Sequence, residues 1–130
     1  MKTIKVVAAL IEKNNKVLCV QRGYSKYEYL NEKWEFPGGK IENGEEEHEA
    51  LKREIKEELS MKIEIIDKLI TVEHAYRDFN IIMHIFKCSS NDEPVLNEHI
   101  NLKWLTKEEL HNLNWAAADI PVVNKYIETC

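Results

Sequence analysis

The stretch from Gly38 to Met61 constrains this chain more than any other. Two adjacent glycines, Gly38 and Gly39, are followed within a few residues by a run dense in Glu, Leu, Ile and Lys. Glu45–Leu59 has the periodicity of an amphipathic α-helix. With Glu54 as origin, Glu58 falls at about 40°, Glu57 at about −60° and Glu47 at about 20° around the axis. Leu51, Ile55 and Leu59 fall at about 60°, 100° and 140°, and form the apolar seam that must face a core. Lys52 and Lys56, near 160° and 200°, point to solvent. The acids therefore form a stripe beside the buried seam. Like charges at i,i+4 with no basic residue among them repel, and a divalent cation relieves half-buried carboxylates of that kind. A solvated acidic face is the competing reading. The glycine pair permits positive φ and leaves backbone groups open to close approach, although a turn explains it equally well. Loop oxygens plus helix carboxylates suit Mg²⁺ or Mn²⁺, hard cations that retain waters and accept phosphate oxygens.

The remaining chain is compatible with one domain spanning residues 1–130. Apolar residues make up 44% and charged residues 32%, the balance of a globular protein. The apolar run Val6–Ile11 is too short for a membrane span, which needs roughly 20 residues. The first residues lack a long apolar segment with a cleavage site, so no export signal is expected. Cys19, Cys88 and Cys130 are odd in number and lack metal-ligand spacing, which suits a reduced, cytoplasmic compartment. A net charge of −5 disfavours binding to a nucleic-acid polymer by counterion release. It leaves small anions open as partners, because a divalent cation bridges acid to acid.

Ile4–Glu12 reads as a buried strand. Asn14-Asn15 marks a turn, and Lys16–Gln21 the returning arm of a hairpin. Arg22–Lys33 reads as a long tyrosine-rich loop. Trp34–Phe36 is a short extended piece stopped by Pro37-Gly38-Gly39. Lys62–His74 and Asn80–Cys88 read as strands joined by a turn at Arg77-Asp78, and His99–Leu105 as another strand. Thr106, with Glu109 three residues on, opens a short helix through a capping box. Asp119 is placed to cap a last helix that has Pro121 in its first turn. Helices interleaved with strands predict a mixed sheet covered on both faces.

The spacing Gly39, five residues, Glu45, seven residues, Arg53-Glu54-Ile55-Lys56-Glu57-Glu58-Leu59-Ser60-Met61 resembles the Nudix box. It departs at one defining position, Ser60, where the family has glycine. A glycine there ends the helix in the left-handed region, a conformation that costs serine about 1 kcal/mol. Trp34-Glu35-Phe36-Pro37-Gly38-Gly39-Lys40-Ile41-Glu42 and Ala117-Ala118-Asp119-Ile120-Pro121 resemble the MutT-type branch, so the likeness spans nearly the whole chain. It implies an α/β/α sandwich around a mixed sheet. The implied reaction is Mg²⁺-dependent hydrolysis of a nucleoside or deoxynucleoside triphosphate to the monophosphate and pyrophosphate, with the sanitation of nucleotide pools as its purpose.

By the same resemblance, Glu54, Glu57, Glu58 and Glu98 bind metal and serve catalysis, together with the Gly38 carbonyl as a backbone ligand. Arg53 counts with them among the catalytic residues, and it pairs with Glu45 and holds the loop against the helix. Arg22 sits where this branch has a phosphate-contacting arginine, and Gly39 and Lys40 are expected to bind substrate with it. Asp119 falls where the protein that names the branch has an asparagine bonded to oxidised guanine. An ionised aspartate only accepts hydrogen bonds, which favours a base edge with an exocyclic amine, such as cytosine. Relatives with Ala-Asp-Ile-Pro here resemble the CTP pyrophosphohydrolase subgroup. Glu57, Glu58 and Glu98 are all candidate bases toward water.

Cys19 and Cys88 sit in apolar strands and read as core. His74 and His84 read as structural. Tyr24, Tyr27 and Tyr29 either stack on a base or cover the sheet. The competing functions are an 8-oxo-dGTP-selective enzyme, hydrolysis of nucleotide sugars, ADP-ribose or dinucleoside polyphosphates, and a non-catalytic nucleotide sensor on the same scaffold.

Overall fold

The computed structural model describes residues 1–129; Cys130 lies outside them. Seven strands form one mixed sheet. In chain order they are β1 (Thr3–Lys13), β2 (Lys16–Gln21), β3 (Trp34–Glu35), β4 (Gly38–Lys40), β5 (Glu64–Ala75), β6 (Asn80–Ser89) and β7 (Asn101–Leu105). Helix α1 (Glu47–Leu59) lies between β4 and β5, and α2 (Ile120–Glu128) closes the chain. Short 3₁₀ turns cover Glu28–Leu30, Lys107–Asn112 and Ala117–Asp119.

The main path of the sheet is β3-β2-β1-β6-β5, with β4 beside β1 and β7 beside β2. β1 and β6 run parallel from Thr3 opposite Asn80 to Ile11 opposite Cys88. The other pairings are antiparallel. β1 is the axis because it is buried on both faces. Ala8 and Leu10 point into one core layer with Phe36, Ile85 and Val122. Val7, Ala9 and Ile11 point into the other with Leu51, Ile55 and Leu59 of α1. An uninterrupted apolar run is what a strand covered on both sides requires. The expected two-sided α/β/α arrangement is therefore present, and Cys19 and Cys88 are fully buried within it.

Asn14 and Asn15 both adopt positive φ, 54° and 65°, the twist of a primed hairpin turn. The hairpin is brief: β1 pairs with β2 only at Glu12 and Lys13, after which β2 turns away to β7 and β3. Several expectations need correcting. Pro37-Gly38-Gly39 does not end the strands in a turn; Gly38 and Gly39 belong to β4, opposite Ala8 and Val7. The reason is close packing, since a Cβ on Gly38 would stand 2.0 Å from the Val7 carbonyl oxygen. α1 begins at Glu47, two residues later than expected, and the Glu49 carboxylate accepts the Glu46 N–H at 3.1 Å. Glu45 is thereby left in the preceding loop. The capping box of Thr106 and Glu109 is present, but the helix it opens is 3₁₀.

Candidate active site

α1 ends with its acids beside β4 because the seam Leu51, Ile55 and Leu59 is anchored in the core. Glu58 lies next to that seam and is 8% exposed. Its Oε1 accepts the Gly38 N–H at 3.1 Å. Burial and the charges of Glu35, Glu54 and Glu98 push its carboxyl up to about 9. Glu54 packs against Gly39, where a Cβ would come within 2.2 Å of its Oε2. Burial raises the Glu54 carboxyl too, and nearby Arg53 opposes the rise.

The acid stripe does contain a basic residue, contrary to the sequence reading. Arg53 Nη1 donates to Glu54 Oε1 at 2.8 Å and to Glu57 Oε2 at 3.3 Å. Its Nε and Nη2 donate to the two oxygens of Glu45 at 2.7 and 2.9 Å, and Nη2 also reaches the Lys40 carbonyl at 3.1 Å. A long side chain swings over a neighbouring helical face, which angular position alone does not reveal. Arg53 braces the loop against the helix and does not line the cavity.

A cavity of about 870 Å³ opens between β4, the loop after β2, the β5–β6 turn and the Ala116–Asp119 segment. Of the residues singled out from sequence, Arg22, Gly38, Gly39 and Lys40 line it. So do Glu58, Glu98 and Asp119. Glu54 stands behind Gly39, while Glu57 is turned outward to Arg53, with its side chain 57% exposed. Among the described residues, no three acids, histidines or thiols already converge as a metal-holding group.

Two residues without a sequence assignment connect this site. Glu35 Oε1 accepts from Arg22 Nη1 at 3.1 Å, and Glu35 Oε2 bonds His99 Nε2 at 2.9 Å. Their only local signal was an acid between two aromatics in Trp34-Glu35-Phe36. At the opposite end, Asp119 Oδ1 accepts the Phe36 N–H at 3.0 Å. Asp119 stands at the N-cap position of α2, but its side chain makes no capping bond, which corrects the capping role. Burial, aided by the charge of Glu35, raises its carboxyl well above the usual aspartate range. Phe36 stacks on Trp115, and the Tyr76 hydroxyl accepts the Ala118 N–H at 2.9 Å.

Tyr27 and Tyr29 cover the sheet: Tyr29 stacks on Tyr76, Tyr27 packs against Phe79, and the Tyr29 hydroxyl donates to Asp78 at 2.7 Å. Tyr24 is exposed at the cavity mouth. His84 sits among Glu47, Lys68 and Thr71, and His74 packs edge-on against Tyr76.

The donor chemistry fits a hard divalent cation. Glu58 is a buried carboxylate with no cationic partner, crowded by other acids, and Gly39 leaves the space that Glu54 occupies.

Acids on a helix beside a glycine strand, an arginine brace and a cavity with polar groups at both ends define a class. Residues 1–126 match the NUDIX domain, and the chain belongs to that family. Nudix hydrolases generally use divalent metal ions. The chain is 33% identical over 129 residues to the CTP pyrophosphohydrolase of Escherichia coli (strain K12), covering 98% of this chain and 93% of that protein. It is 27% identical over 126 residues to the 8-oxo-dGTP diphosphatase of the same organism, covering 96% and 97%. The solution structure of the mismatch repair protein MutT, a Nudix hydrolase from methicillin-resistant Staphylococcus aureus 252, superposes with a TM-score of 0.76 at 45% identity, covering 98% of each chain. No helix among the described residues is long and apolar enough to cross a membrane.

Proposed function

We propose that this chain, as a single catalytic domain, hydrolyses nucleoside or deoxynucleoside triphosphates to the monophosphate and pyrophosphate, with Mg²⁺ as cofactor. The observation that carries this reading is the buried, acid-crowded Glu58, without a cationic partner among the described residues, at the wall of a cavity that also presents Arg22 and Lys40. Glu54, Glu57, Glu58, Glu98 and the Gly38 carbonyl would hold the cation, with Glu57 first leaving Arg53. The bound cation neutralises phosphate charge and makes water a better nucleophile.

The residues of the chain do the rest. Arg22, oriented by Glu35, and the Lys40 ammonium bind phosphate oxygens. Arg53 keeps β4 at a fixed distance from α1. The proton of the attacking water passes to a carboxylate oxygen of Glu58 or Glu98, the two candidate bases that face the cavity. The water oxygen bonds to one phosphorus of the α–β phosphoanhydride, that P–O bond breaks, and the monophosphate and pyrophosphate separate. The base lies toward Phe36 and Asp119. Asp119 Oδ1 is already occupied by Phe36, so Oδ2 reads the base. Ionised, it accepts from an exocyclic amine; protonated, which its environment favours, it donates to a carbonyl. That dual capacity suits cytosine and modified or oxidised bases over strict selection of one base, and a cytoplasmic role in cleaning nucleotide pools.

Pyrophosphate release from dCTP, 5-methyl-dCTP, 8-oxo-dGTP and dGTP, with Mg²⁺ or with a chelator, tests this. Release is expected only with the cation, and more slowly from dGTP than from the others. If no nucleotide yields pyrophosphate with Mg²⁺ present, the hydrolase reading fails.

A further inference from the structure

Glu98 is the acid with the least obvious support, because it is exposed and lies in a loop. Its two neighbours in the chain are not free. On one side, the loop answers the last carbonyls of α1, which any helix leaves without intrahelical partners. Val95 N–H donates to the Leu59 carbonyl at 2.8 Å, and Asn97 N–H to the Glu58 carbonyl at 3.1 Å. Asn97 Nδ2 donates to the Glu57 carbonyl and to Ser60 Oγ, both at 3.0 Å. Ser60 is the position where the Nudix box has glycine, so this chain makes a bond there that a glycine has no atom for. On the other side, the His99 side chain is 6% exposed and its Nε2 bonds Glu35 Oε2 at 2.9 Å. Glu35 also accepts from Arg22, and an ionised carboxylate only accepts, so His99 Nε2 donates to it and the second ring nitrogen is Nδ1. That Nδ1 is buried without a partner, a burial cost the fold accepts at this position. Next along the chain, Ile100 N–H donates to the Gln21 carbonyl at 3.0 Å.

We propose that Asn97 and His99 are positioning residues forming a two-sided clamp: Asn97 fastens the loop to the end of α1, His99 fastens it to Glu35, and Glu98 between them is set against Glu54 and Glu58. The inference rests on the assignment of Glu98 to the cation-binding site. A free loop acid would lose entropy each time it joined that site, whereas a clamped one has already lost it.

The test measures Mn²⁺ affinity by titration calorimetry on nucleotide-free protein, alongside kcat and KM for dCTP. Asn97 is exposed, so Asn97→Ala is expected to fold. Asn97→Ala and His99→Ala should each weaken Mn²⁺ binding and lower kcat by about tenfold or more, the usual scale for groups that orient ligands, with KM changing far less. His99→Gln, which keeps an amide donor for Glu35, should retain near-normal affinity. In a Glu98→Ala background neither alanine change should cost anything further. An equal loss with and without Glu98 would overturn the clamp, as would unchanged Mn²⁺ affinity in both variants while Glu98→Ala is impaired. No effect of Glu98→Ala on Mn²⁺ would remove the clamp together with the role of Glu98. If wild type released no pyrophosphate, the hydrolase reading would fail, and the Mn²⁺ titrations would still decide the clamp.

Discussion

Arg53 spreads one guanidinium over Glu45, Glu54, Glu57 and a backbone carbonyl, and its tightest partner is Glu45. That contact holds the Glu45 carboxyl at about 2, below its usual 4.5. A carboxylate with a depressed folded value contributes stability above its unfolded value, and loses it as pH falls through the folded one. The window is therefore from about 4.5 down to about 2. Thermal melts of wild type and Glu45→Gln should differ most above pH 5 and converge as pH falls through that window. A constant gap would remove the Arg53–Glu45 pair as the cause. Ser60, at φ 56° and ψ 34°, is in the left-handed region that its place in the motif implied. Ser60→Gly relieves about 1 kcal/mol of backbone cost but gives up the bond from Asn97, worth about 1 kcal/mol. Urea melts should show little net change in wild type and a gain of up to about 1 kcal/mol in an Asn97→Ala background. Destabilisation in both would show that the left-handed conformation carries no strain.

At the scale of the element, α1 combines an anchor and an acid stripe on adjacent faces. Glu58→Gln should cut turnover by several orders of magnitude and raise the melting temperature in metal-free buffer, since it removes a buried carboxylate without a cation. Glu57→Gln should cut turnover similarly but leave stability nearly unchanged, because Glu57 is exposed and its pair with Arg53 is a surface one. Near-normal turnover in both would end the catalytic reading of α1. The stripe and its seam were readable from the sequence because both follow from 3.6-residue periodicity. The strand character of Gly38 and Gly39 was not, because it depends on Val7 and Ala8, some thirty positions earlier, as partners. The Glu35–His99 pair spans 64 positions and has no local pattern at all. The tyrosine loop stayed ambiguous for the same reason: its partners Tyr76 and Phe79 come from a distant turn.

For the whole molecule, β1 separates two core layers, one backed by α1 and the other by α2. The two-sided architecture was legible, since only double coverage explains Val6–Ile11. The brevity of the β1–β2 hairpin was not, because sequence gives no sign of where β2 exchanges partners. The burial of Asp119 also changes how its chemistry is understood. As an asparagine, this position would hold a fixed amide that both donates and accepts. Asp119→Asn is therefore expected to shift the ratio of rates toward guanine forms and away from cytosine forms, checked by kcat/KM on 8-oxo-dGTP and dCTP. An unchanged ratio would show that Oδ2 does not meet the base.

The two ends of the cavity are supplied by separate stretches of chain. On the proposed reading, Gly38 to Glu58, with Arg22 and Glu98, builds the hydrolytic end, and Trp115 to Asp119, with Phe36, builds the other. Drift at the second end can re-address the enzyme to another base while the first keeps cutting the same bond. On that reading, a substitution confined to Trp115–Asp119 alters which base is recognised and leaves the groups that act on the phosphates in place.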